Sequence, residues 1–204
     1  MLDTSVNSVA RRPGRFGGGS GNEVLTSATA LVLTVLLIAE GITILRIGGL
    51  RDEHMFVGMA LIPPVVLKLS STGYRFARYY LGNLAYREKG PPLLPLRLLA
   101  PVLVATTLLV FVTGVALLVS SHKSNLLFTL HKVSFIVWGA VFAVHFLAHL
   151  PRMARSLRND WTRAGRERIA GAGVRALLLA ASIGGGVALA LAVLPLITRW
   201  HVGN

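Results

Sequence analysis

Three histidines lie within one apolar stretch, Leu130 to Leu150, reading LHKVSFIVWGAVFAVHFLAHL. Imidazole can ligate a metal, relay a proton or hydrogen-bond a polar ligand, and inside an apolar segment no bulk water satisfies it instead. About 20 residues at roughly 1.5 Å each cross a hydrocarbon core of about 30 Å, so this stretch is long enough to span a bilayer. His131 and His145 are 14 residues apart, and His131 and His149 are 18 apart. At about 100° per residue both separations fall within roughly 40° of whole turns, which puts all three imidazoles on one stripe. The stripe must face a neighbouring helix, a cofactor or a proton path, because lipid offers the imidazoles nothing.

The elements that would position such a stripe follow from composition. The chain has 204 residues, 53% of them hydrophobic and only 14% charged, with a mean hydropathy of +0.65. That is too apolar for a soluble domain and predicts an all-α integral membrane bundle. Cysteine is absent. Disulfides, iron–sulfur clusters, thiolate-ligated or covalently attached haem and zinc–cysteine sites are thereby excluded, leaving histidine, carboxylate and methionine as ligands. The net charge of +13 would suggest nucleic acid in a soluble protein. Here the cations fall between apolar segments, where topology and anionic lipid account for them, so no nucleic-acid partner is expected.

Five spans are predicted, at about 24–45, 54–71, 98–120, 130–150 and 176–197, within a transmembrane domain 24–198. Residues 1–23, with Arg11, Arg12, Arg15 and a Gly-rich run, read as a disordered cytoplasmic tail, and 199–204 as a short outer tail. The Arg11-Arg12 pair suggests an export signal. The apolar segment after it is too long for a signal core and lacks an Ala-x-Ala site, so it is expected to stay as an anchor. Pro63-Pro64 predicts a kink near Leu61 in the second span. Tyr74, Phe76, Tyr79, Tyr80 and Tyr86 alternate with arginines, which suits a helix at headgroup level. The third span has no ionisable residue and reads as a packing helix. In the fifth, Ala180, Gly184 and Ala188 recur every four residues and predict a close-packing face.

Most of the cationic residues lie in the tail, in 73–97 and in 151–175. The positive-inside rule then predicts a multi-pass protein of the inner (plasma) membrane, with a cytoplasmic N-terminus. The second and fourth spans run in parallel under this topology, and His54 stands level with His131. Fourteen residues further on, Lys68 stands level with His145. The two helices therefore offer paired positions at two depths about 20 Å apart. A six-coordinate b-type haem takes one imidazole from each of two helices at one level, and Gly58, one turn below His54, would leave room for the porphyrin. Glu40, in the first span, is either held in a polar pocket, where it could orient an imidazole, or reaches water near the helix end. His145, His149 and Lys68 mark a possible quinone or proton site. The alternatives at this point are interfacial histidines, a polar helix end, and a lysine that snorkels inward.

With His54, His131 and His145 placed on this layout, Val24 to Arg152 resembles the small membrane-embedded b-type cytochromes, including the cytochrome b subunits of formate dehydrogenase and hydrogenase type and similar actinobacterial membrane proteins. The resemblance implies haem b held by His54 and His131, a quinone, a partner redox subunit and an electron-transfer role within an oxidoreductase. A second, inner haem would need histidine where Lys68 stands, so His145 and His149 are left to a quinone head group, a proton path or a haem whose other ligand lies elsewhere. Two other classes stay open: a small transporter or proton-conducting protein using Glu40 and the histidines, and a structural or assembly subunit without cofactor.

Overall fold

The computed structural model describes residues 18–87, 94–120, 124–161 and 169–202, and these are helical apart from short turns. In chain order the helices are α1 (Gly18–Leu45), α2 (Arg51–Tyr80), α3 (Leu84–Arg87), α4 (Leu94–Val119), α5 (Asn125–Trp161), α6 (Ala172–Ala192) and α7 (Leu194–Val202). Five of them, α1, α2, α4, α5 and α6, are long and apolar enough to cross a membrane. Exposure agrees with this. Val35, Ile38, Val112, Ile136 and Leu147 face outward, each about 60% or more exposed, while Thr29, Thr113, Ser134, Ser182 and Ala190 are buried. A bundle with large apolar side chains outside and small or hydroxyl side chains inside is built for lipid, where close packing replaces the hydrophobic effect between helices. The protein is a multi-pass membrane protein.

The helices extend beyond the predicted spans. Helix α1 starts at Gly18, so the end of the segment expected as a tail is ordered: Gly19 and Gly21 are buried, and Asn22 Nδ2 donates to the Ser71 carbonyl at 2.9 Å. Residues 1–17 of that tail lie outside the described residues. Helix α2 is continuous through Pro63-Pro64, with Pro64 buried, and takes in the aromatic–arginine segment as far as Tyr80. Helix α5 likewise continues past Pro151. The predicted fifth span divides at Val193, after which the short α7 packs against α2 and α4. There Ile197 is buried, and Trp200 Nε1 reaches the Leu118 carbonyl.

Helices α1, α2, α4 and α5 form a four-helix arrangement in which α1 packs on α2 and α5, and α4 on α5 and α2. Helices α2 and α5 stand diagonally across it, without a substantial backbone interface. Helix α6 packs on the outside of α2 through Ser182, Gly186 and Ala190. The expected face of Ala180, Gly184 and Ala188 is exposed instead. Both sets have four-residue spacing and lie on different sides of one helix, so spacing alone could not choose between them. Gly186 decides it: a Cβ there would lie 2.3 Å from the Ala60 carbonyl oxygen.

Candidate functional site

The polar residues of the bundle interior gather in two layers. In the one beside the α1–α2 turn, named the outer layer after the expected topology, Glu40 is buried on α1 and sets Oε1 2.8 Å from His54 Nδ1 on α2. Thr43, one turn beyond Glu40, donates its hydroxyl to the Glu40 carbonyl at 2.7 Å and lies 3.4 Å from both Glu40 Oε2 and His54 Nδ1. Of the two sequence readings for Glu40, the polar pocket holds. A carboxylate facing Nδ1 assigns the proton of His54 to that nitrogen and directs the Nε2 lone pair away from Glu40.

His131 is held in the same way by different chemistry. Its Nδ1 lies 3.2 Å from the Val110 carbonyl and 3.1 Å from Thr113 Oγ1, both on α4. The Thr113 hydroxyl donates at 2.7 Å to Leu109 O, leaving its oxygen to accept from Nδ1–H. Gly114 makes room for the ring, because a Cβ there would meet His131 Cε1 at 3.0 Å. Neither Nε2 has a hydrogen-bond partner among the described residues. The His54 and His131 ring centroids are 6.3 Å apart, with planes inclined at 65°. The sequence reading paired these two residues and made α4 a mere packing helix. It missed Val110, Thr113 and Gly114, for which the Thr113-Gly114 step in a largely aliphatic span was the available signal. Gly58 is in the layer but serves Glu40: a Cβ on it would lie 3.5 Å from Oε1.

The inner layer lies 14 residues further along both α2 and α5. Lys68 does not snorkel to the surface; its Nζ donates at 2.9 Å to the Thr26 carbonyl on α1. Thr26 Oγ1 donates to Ser71 Oγ at 3.0 Å. Across the bundle, His145 and His149 stack with centroids 4.3 Å apart, and His149 Nδ1–H donates to the His145 carbonyl at 2.9 Å. Lys68 is within electrostatic reach of His145, whose Nδ1 is buried without a hydrogen-bond partner. Between the layers, Phe135, Trp138, Phe142 and Phe146 stack in succession along α5, and Trp138 Nε1 donates to Thr107 at 2.9 Å.

Among the described residues no group of three or more His, Asp or Glu side chains could hold a metal ion. What the outer layer offers is two imidazoles. Two imidazoles bound to one iron through nitrogen at about 2.0 Å stand roughly 6 Å apart between ring centres, a separation that the His54–His131 pair meets. No family model matches the chain, and neither a curated protein nor a solved structure matches it.

Proposed function

We propose that this chain is a small b-type cytochrome of the inner (plasma) membrane that passes electrons between a quinone pool and a partner redox subunit. One observation supports the reading: two imidazoles from diagonally opposed helices, each with Nδ1 tied to an acceptor and Nε2 without a partner among the described residues, stand one axial-ligand separation apart. Haem, when bound, would supply a one-electron centre within the bundle. The residues do the rest. Glu40 and Val110 O fix the two tautomers, Thr43 and Thr113 steady the rings, and Gly114 keeps the His131 side open.

In this reading the inner layer holds the quinone head group. Lys68 offers N–H donors beyond the one used by Thr26, and His145 offers a buried nitrogen without a partner, so the layer can both bind a carbonyl oxygen and exchange a proton with it. Protein purified from haem-replete cells is expected to carry a Soret band with split α and β bands that sharpen on reduction. A colourless preparation would overturn the reading. Adding a soluble quinol should reduce the haem in the wild type, and in Lys68→Met at least about 10-fold more slowly, with an unchanged spectrum.

A further inference from the structure

Beyond Lys68 and Ser71 of the inner layer, the end of α2 carries a cationic and aromatic cluster that neither layer uses. Lys68, Ser71, Arg75 and Arg78 recur at steps of three and four residues and form one stripe down this helix. Below Lys68, the guanidinium carbon of Arg78 lies 5.9 Å from the centroid of the Tyr74 ring. Tyr86, brought back by α3, is buried edge-on against Tyr74 with ring centroids 6.1 Å apart. Arg75 and Arg78 both lie within electrostatic reach of the Tyr86 hydroxyl.

Among the described residues the charges of this cluster are not compensated. Arg78 Nε is buried without a hydrogen-bond partner, and no carboxylate pairs with Arg75 or Arg78 among the described residues. A buried guanidinium N–H left unmade is costly, and two cations side by side call for an anion with several acceptor oxygens. The depth of the cluster narrows the choice. Arg75 is 21 residues beyond His54, which at about 1.5 Å per residue is roughly 30 Å along α2, one hydrocarbon thickness from the outer layer. The arginines therefore sit at headgroup level, with Phe76, Tyr80, Leu81 and Leu84 exposed around them for acyl chains to cover.

We propose that Arg75 and Arg78, with the Tyr74 and Tyr86 hydroxyls, hold the phosphate of an anionic phospholipid in the leaflet on this side. The two uncompensated cations select a lipid of net negative charge over a zwitterionic one, because the latter brings its own ammonium to the site. The site does not depend on haem or quinone, so its test is independent of theirs.

The test uses the purified full chain in mixed micelles, with the thermal midpoint followed against phosphatidylglycerol, phosphatidylcholine and inorganic phosphate at equal phosphate concentration. Phosphatidylglycerol is expected to raise the midpoint saturably, by about 2–4 °C or more, while phosphatidylcholine and free phosphate leave it in place. Arg75→Gln with Arg78→Gln should abolish that rise while keeping the wild-type midpoint in phosphatidylcholine, and the double lysine variant should keep part of it. An equal rise with phosphatidylcholine, a rise with phosphate alone, or a rise that survives the glutamine pair would each overturn the proposal. If the glutamine pair does not fold, native mass spectrometry of the wild type decides: one retained phosphatidylglycerol supports the site, and none refutes it.

Discussion

Glu40 on α1 holds His54 on α2 through a single 2.8 Å contact from Oε1 to Nδ1, so the first imidazole of the outer layer is oriented by a neighbouring helix. A carboxylate on Nδ1–H strengthens donation from Nε2 to any metal bound there and favours the oxidised state of that metal. Glu40→Gln keeps the shape and removes the charge. Under the proposed haem ligation it is expected to raise the midpoint potential in a redox titration, whereas Glu40→Ala should weaken haem retention about 10- to 100-fold. An unchanged potential in Glu40→Gln would show that the carboxylate does not act on the iron.

His54→Ala and His131→Ala should each abolish the low-spin spectrum, since either loss removes an axial nitrogen, and His149→Ala should leave it intact. Absorption and electron paramagnetic resonance spectra of the three purified variants decide the matter. A spectrum that survived both outer substitutions but was lost at His145 or His149 would move the cofactor to the inner layer.

His131 Cε1 lies 3.0 Å from where a Cβ on Gly114 would stand. Gly114→Ala asks the ring to yield by a few tenths of an ångström and is expected to keep the haem with altered low-spin g values. Gly114→Leu should displace the ring and lose the haem, and wild-type spectra for both variants would refute the packing.

Gly186 and Gly184 differ by two residues and face different surroundings. A Cβ on Gly186 would strike the Ala60 carbonyl at 2.3 Å, whereas Gly184 has open space. Gly186→Ala should therefore destabilise the bundle by about 1–3 kcal/mol, and Gly184→Ala should leave the thermal midpoint nearly unchanged. Equal midpoints for the two would place the α2–α6 contact elsewhere.

Burial, followed by the neighbouring Tyr74, raises the pKa of the Tyr86 hydroxyl above its ordinary value. The folded state then keeps this proton while the unfolded state releases it, so the group costs stability as pH rises past the unfolded pKa toward the folded one. Ultraviolet titration should show one tyrosine ionising after the others and missing from Tyr86→Phe, and Tyr86→Phe should lose less stability above about pH 10.

Much of this arrangement was legible in the residues. The five spans could be read from hydropathy, and the pairing of His54 with His131 from counting turns along two helices that descend from one face. What could not be read was set by neighbours. Lys68 has a stem long enough to snorkel, and only the Thr26 carbonyl on α1 holds it inside. Four-residue spacing marks two possible faces on α6, and only the approach of Ala60 selects the one with Gly186. Val110, Thr113 and Gly114 have no chemistry to advertise until His131 is laid against them. Helix ends moved for a related reason: Gly18 to Glu23 looks disordered by composition but is ordered by contact with the far end of α2.

Each polar layer is divided between two helical hairpins. The α1–α2 hairpin contributes Glu40, Thr43 and His54 to the outer layer and Thr26 and Lys68 to the inner one, while α4–α5 contributes Thr113 and His131, then His145 and His149. Within a bilayer each hairpin can insert on its own, because every backbone group is satisfied inside its helix. Neither hairpin alone has both halves of a ligand set. A group bound across His54 and His131, as proposed, would act as a rivet driven after the two plates have met, adding to the α1–α5 and α2–α4 contacts that hold two fragments divided between α3 and α4.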